Sequence, residues 1–354
     1  MLSQRIRAAT PQSGGNQAFI VLAHQSSPFV TAYFWDDTTG FGSKLSDPAT
    51  LPVSSLFTAS FSPDMDAVFF TPSTALARVY AYEWSSTGFG AQYSDPTLRH
   101  ASATNVEAAS DVVFLNHSVS PRISATAWDS VTGFGSLYSD PPSPLPVSGR
   151  ATVKLINGGN VVCTGGSGSP PSDTWRWDST TGFGTKYSPP ASFPLLAIQS
   201  VTENSSSVSK VVMFGINGSP RAVAYPFTYA SGFGAKFANP STSIGADDVE
   251  DAVFTENDEA VIFSVDGGDR LIAYEWDNTS GFGARYAAPA VLPAAIGRKI
   301  KMNSAKNVVF ISSLPSPGID AYRWDNTTGF GVKFSAPASP PASNIYTILY
   351  GEIV

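Results

Sequence analysis

The sequence predicts an all-β chain folded as one seven-bladed β-propeller of four-stranded antiparallel blades, closed by pairing of its N- and C-terminal strands. Three observations predict it. A Gly-Phe-Gly tripeptide recurs seven times at nearly equal spacing over the 354 residues. Glycine (30) and proline (27) are both plentiful, as many short strands joined by tight turns require. No stretch of useful length shows the three-and-four apolar spacing of a helix.

The repeat comes first, because a missed period misreads the whole fold. Its copies are Gly40-Phe41-Gly42, Gly88-Phe89-Gly90, Gly133-Phe134-Gly135, Gly182-Phe183-Gly184, Gly232-Phe233-Gly234, Gly281-Phe282-Gly283 and Gly329-Phe330-Gly331. Successive copies are 48, 45, 49, 50, 49 and 48 residues apart. A unit of about 48 residues holds four short strands and their turns, which is one propeller blade, so residues 1–354 form a single domain.

Other positions keep the same register. An aromatic precedes each tripeptide: Trp35, Trp84, Trp128, Trp177, Phe227, Trp276 and Trp324. A large apolar residue follows it: Leu45, Tyr93, Tyr138, Tyr187, Phe237, Tyr286 or Phe334. A proline then ends the unit at Pro48, Pro96, Pro141, Pro190, Pro240, Pro289 and Pro337. The glycines suit positive φ or close backbone approach at a turn between strands. The aromatics suit packing between neighbouring blades, and proline cannot continue a ladder. Lys44, Lys186, Lys236, Arg285 and Lys333 occupy one position per unit, where charge on an outermost strand discourages edge-to-edge pairing.

Within the second unit the strands read as 56–61, 67–71, 78–84 and 88–94, with Ser62-Pro63-Asp64-Met65-Asp66 as a turn. In the third strand Arg78, Tyr80, Tyr82 and Trp84 face one way and Val79, Ala81 and Glu83 the other. After the seventh unit, residues 344–350 align with an innermost strand. We expect them to complete the first blade in preference to the less apolar Gln4–Ala9.

A net charge of −7 and a pI near 4.9 disfavour nucleic acid as a partner. No apolar run is long enough to insert in a membrane, and the N-terminal segment lacks the apolar core of an export signal. The one cysteine, Cys163, lies in an apolar strand-like run and reads as a buried, inert thiol. No cofactor motif is present: there is neither a phosphate-cradling loop ending in Lys-Ser/Thr nor a Gly-x-Ser-x-Gly elbow.

Candidate chemistry is sparse. His24 and His117 end second strands in non-adjacent blades, and with His100 they fall short of a convincing zinc set, so they read as strand-end residues. Asp36, Asp129, Asp178, Asp277 and Asp325 recur after the aromatic, and a fivefold acid reads as a turn cap. The acidic run 245–251 offers oxygen ligands for calcium but lacks the ligand spacing of a helix-loop-helix site. Arg78, Arg122, Arg221 and Arg270 each stand six residues before the repeat aromatic. They should gather near one propeller face, either as a partner- or anion-binding set or as solvated strand ends.

The unit resembles the Trp-Ser-x-Gly-Phe-Gly-x-Lys-Tyr-x-x-Pro propeller repeats of tailed-bacteriophage proteins, and it does so in all seven copies. It is only distantly similar to WD repeats, lacking their Gly-His pair. The resemblance implies a component of the virion (tail, baseplate or capsid surface) with other virion proteins as partners and a host surface glycan or receptor as a further one. It implies a protein-binding or adhesion role; a propeller hydrolase or quinoprotein needs a singular acidic or metal-bearing centre, none is legible in the sequence, and no enzymatic role is expected. The alternative is a free, lectin-like propeller that binds glycan or protein.

Overall fold

A computed structural model describes residues 17–353 except 74–77, 97–102, 118–119, 143–149, 195, 207–209, 246 and 315–317. Its strands form seven four-stranded antiparallel sheets. In six of them the chain runs outward from the innermost strand to the outermost. The second blade, for example, is Leu56–Phe61, Ala67–Pro72, Tyr80–Ser85 and Gly88–Gln92. The first blade is composite. Ile345–Ile353 is its innermost strand and pairs along the whole of Gln17–His24, followed by Val30–Asp36 and Gly40–Lys44. The C-terminal strand therefore closes the ring, as the sequence predicts, and the rival segment Gln4–Ala9 lies outside the described residues. No helix among the described residues is long and apolar enough to cross a membrane.

The core lies between blades and not within them. Tyr80, Tyr82 and Trp84 pack with Phe19, Val21 and Val30 of the first blade. Val79 and Ala81, one residue out of phase, pack with Val113, Leu115 and Trp128 of the third. Period-two alternation thus sends each face of a blade into a different neighbour, which is why these strands read as nearly continuous apolar runs.

The repeat residues make the junctions. The ring of Tyr138 meets the next blade's Trp177 edge-on at 5.0 Å, and its hydroxyl donates to the Ser179 carbonyl at 2.6 Å. Tyr93 treats Trp128 and the Ser130 carbonyl in the same way, at 4.8 and 2.6 Å. The same ring lies over the first glycine of the next tripeptide: a Cβ on Gly182 would sit 3.2 Å from Tyr138 Cδ1. That glycine also has φ +84, so both its conformation and its lack of a side chain are required.

The recurring aspartates cap their own turns. Asp36 Oδ1 accepts from the backbone N–H groups of Thr38 and Thr39 at 2.9 and 2.7 Å and from the Thr39 hydroxyl at 3.0 Å. Asp129, Asp178, Asp277 and Asp325 repeat this arrangement, and these hydrogen bonds hold all five carboxyls below the usual range. Among the basic residues on the outermost strands, Lys186 pairs with Asp173 at 2.6 Å and Lys333 with Asp320 at 2.5 Å, each fastening the outermost strand to the third.

Candidate functional site at the channel mouth

Each innermost strand begins with a β-bulge. In the second blade Leu56 faces Pro72 and Thr58 faces Thr71, which leaves Phe57 as the extra residue. The same slip leaves Thr104 in the third blade, Ala151 in the fourth, Gln199 in the fifth and Glu250 in the sixth. In the seventh, Arg298 and Lys299 together oppose a single residue between Gly297 and Ile300, and in the first the extra residue is Tyr346. A bulge bends the strand and re-aims the unpaired side chain, and bulges concentrate beside active sites. Here seven of them, one per blade, form a ring at one end of the propeller. The backbone repeats and the side chains do not.

These residues enclose one cavity of about 320 Å³, lined by Phe57, Gln199, Glu250, Arg298, Lys299 and Tyr346 together with Thr58. Two aromatics form one wall. Their ring centroids are 5.4 Å apart with planes inclined at 42°, and Phe57 is 43% exposed although its neighbours Leu56 and Thr58 are buried. Opposite in character, Arg298 Nη1 lies 2.9 Å from Glu250 Oε2, while Lys299 Nζ lies 3.9 Å from Asp251 Oδ2. The Arg298 Nε is buried and has no hydrogen-bond acceptor among the described residues. The site therefore joins a flat apolar face to a guanidinium–carboxylate pair and an amide. Below it the channel narrows to a polar waist where Lys154 Nζ meets Glu107 Oε1 at 2.5 Å.

The Gly-Phe-Gly tripeptides lie far from this mouth, at the turns into the outermost strands. Arg78, Arg122, Arg221 and Arg270 lie at the turns between second and third strands, which topology places at the same end as the bulges. Arg78 Nε lies 2.9 Å from Asp95, Arg221 pairs with Asp248, and Arg270 donates to the Pro293 carbonyl at 2.5 Å. None of the four lines the cavity described here.

His24 is buried, with Nε2 2.9 Å from the Thr31 hydroxyl, and burial lowers its imidazole to about 4. His117 is buried in the same way against Ser124 at 2.7 Å, and His100 lies outside the described residues. Cys163 is buried beside the Thr174 hydroxyl at 3.3 Å. The acids of 245–251 go to separate partners: Asp248 to Arg221, Glu250 to Arg298, and Asp251 to the Ile300 N–H at 3.3 Å. Among the described residues no three His, Cys, Asp or Glu side chains converge as metal ligands.

Sequence reasoning missed the mouth residues. Their signal is the inverse of a repeat: one position per unit, near the start of the innermost strand, where tyrosine, phenylalanine, threonine, alanine, glutamine, glutamate and arginine replace one another between flanks that also vary.

No family model matches the chain, and no curated protein matches it. Solved structures do. A candidate 6-phosphogluconolactonase from Bacteroides fragilis superposes with a TM-score of 0.74 at 11% identity, covering 97% of this chain and 100% of the other. A second such candidate, from Bacteroides uniformis, gives 0.76 at 10%, covering 96% and 100%. The periplasmic gluconolactonase of Pseudomonas aeruginosa gives 0.69 at 14%, covering 94% and 99%. The shared property is the fold. These neighbours correct the expectation of a virion component without enzymatic activity. These three propellers, which overlay this chain nearly end to end, carry lactonase names, whereas the phage reading rested on junction residues, which any propeller of this construction needs whatever it does.

Proposed function

We propose that the chain binds and hydrolyses a small sugar-type lactone in the cavity at the channel mouth. The observation that carries this reading is the bulge ring, five of whose seven bulges present chemically different side chains to one cavity of about 320 Å³. The likeness to lactonase-named propellers supports it as analogy of fold.

The residues divide the work. Phe57 and Tyr346 offer a face for the C–H side of a sugar ring, and Gln199 supplies both a donor and an acceptor for its hydroxyls. The Arg298 guanidinium polarises the lactone carbonyl and stabilises the oxyanion that forms there. The Glu250 carboxylate, 2.9 Å from Arg298, takes a proton from the water that attacks the carbonyl carbon. The ring C–O bond then breaks, the departing oxygen recovers that proton from Glu250, and a hydroxy acid leaves.

The test is acid release from glucono-δ-lactone above its spontaneous hydrolysis. Wild-type protein accelerates it, and Glu250→Gln reduces the enzymatic rate by about 10²–10⁴-fold, the usual contribution of a general base. Absence of acceleration, or full activity in Glu250→Gln, overturns the proposal.

A further inference from the structure

At the opposite end of the channel lies a second cavity, of about 330 Å³, whose charged lining is Lys154, Glu203, Lys210, Asp258, Lys301 and Lys306. Four ammonium groups against two carboxylates is an unusual local balance for a chain of net charge −7. We propose that this cavity is a binding site for a compact dianionic oxyanion, inorganic phosphate or a phosphomonoester, separate from the lactone site at the mouth.

The pairing inside the cavity carries the argument. Lys154 is neutralised by Glu107 at 2.5 Å, and Lys210 lies 3.7 Å from Glu203. Asp258 is held by its own donors: the Ser205 N–H and hydroxyl at 2.7 and 2.9 Å and the Ser206 N–H at 2.9 Å. Glu203 also accepts the Asn157 N–H at 2.7 Å. Lys301 and Lys306 remain, with no ion pair among the described residues. Burial lowers both ammonium groups from their ordinary range, with Asp251 and Glu107 acting against it at Lys301 and Asp258 at Lys306, while Lys301 lowers Lys306 further; an anion beside them would favour both charged forms. Two lysines outside any ion pair among the described residues match the charge of a phosphate at neutral pH.

The backbone places the Lys306 side chain through a turn of the repeat. Lys306 has φ 53, a left-handed conformation that asparagine adopts readily and lysine seldom does. Its turn is anchored on Asn303, whose Oδ1 accepts the N–H groups of Asn307 and Val308 at 3.0 and 2.9 Å, and the Lys306 N–H donates to the Asn303 carbonyl at 3.0 Å. Met65 takes the same turn in the second blade at φ 54, anchored on Ser62, so the turn belongs to the repeat, and its place in the seventh blade sets the Lys306 side chain at this end of the channel.

The experiment is calorimetric titration of the whole chain, in a chloride buffer of low ionic strength, with inorganic phosphate and separately with glycerol 3-phosphate. Saturable one-site binding is expected for at least one of them, and the tighter identifies the source. Lys306→Asn relaxes the turn while removing the charge, and Lys301→Met keeps the stem. Each weakens binding about tenfold, in line with one charge-assisted contact, whereas Lys236→Met on the outer rim leaves it unchanged. Both variants retain the wild-type rate on glucono-δ-lactone, or share its inactivity if the mouth is not a lactonase, so the two proposals fail separately. Absence of binding by either anion, or unchanged affinity in Lys306→Asn, overturns the site.

Discussion

Phe334 of the seventh blade packs its ring on Gly40 of the first, where a Cβ would lie 3.0 Å from Phe334 Cδ1. The Phe334 ring also meets Trp35 edge-on at 5.0 Å. The joint that closes the circle is thus built like the internal ones, although it joins residues from opposite ends of the sequence.

Substitution at this joint should show how much the contact contributes. Gly40→Ala combines a Cβ at φ +89 with the close approach of Phe334 and should cost about 1–3 kcal/mol. Gly159→Ala has nearly the same φ, +87, but nothing within 4 Å, so it carries the backbone cost alone, about 1–2 kcal/mol. Urea unfolding of both variants measures the difference. Equal losses would mean that the ring contact adds nothing.

Removal of residues 344–354 should open the first blade. Ile345, Ile348 and Leu349 are all buried, so the deletion costs at least about 5 kcal/mol in lost burial alone. Thermal melting should show a much lower or broadened transition, and an unchanged melting temperature would refute closure by this strand.

Acid should destabilise the fold through His24 before it reaches the capping aspartates. Burial holds the imidazole near 4 in the folded chain, against 6.5 in the unfolded one. Between those values the unfolded state binds a proton that the folded state does not, so stability falls as pH drops through this window and levels off below it. The loss is on the order of 3 kcal/mol. His24→Gln should flatten the dependence of melting temperature on pH between 7 and 4.5; an unchanged slope would assign the titration elsewhere.

At the mouth, Tyr346→Ala removes half of the aromatic wall without touching the Glu250–Arg298 pair. KM for glucono-δ-lactone should rise about tenfold with kcat nearly unchanged, the signature of lost uniform binding. A fall in kcat at constant KM would place Tyr346 in the chemical step.

The propeller was legible because its construction is local. Gly-Phe-Gly, the aromatic before it and the proline after it sit within one hairpin, and every unit repeats them in order. The edges of strands were less so: the third strand of the second blade begins at Tyr80 and not at Arg78, whose side chain turns to Asp95. The mouth was illegible for a physical reason. A bulge is a relation between two strands, and Phe57 becomes the extra residue only because Leu56 and Thr58 pair with adjacent residues of the next strand. The lysine cavity was hidden by distance, since Lys154, Lys210 and Lys301 belong to three different blades and meet only when the ring closes.

The composite first blade also sets an order on the protein's birth. Gln17–His24 is the first of the described strands to be made, yet its inner neighbour, Ile345–Ile353, is the last. Throughout synthesis the inner edge of that strand has no partner within its own chain. A product cut short at any later point keeps a bare strand edge able to pair with another chain. Pairing with Ile345–Ile353 is thus what covers that edge, and only a chain that has reached this strand can make it.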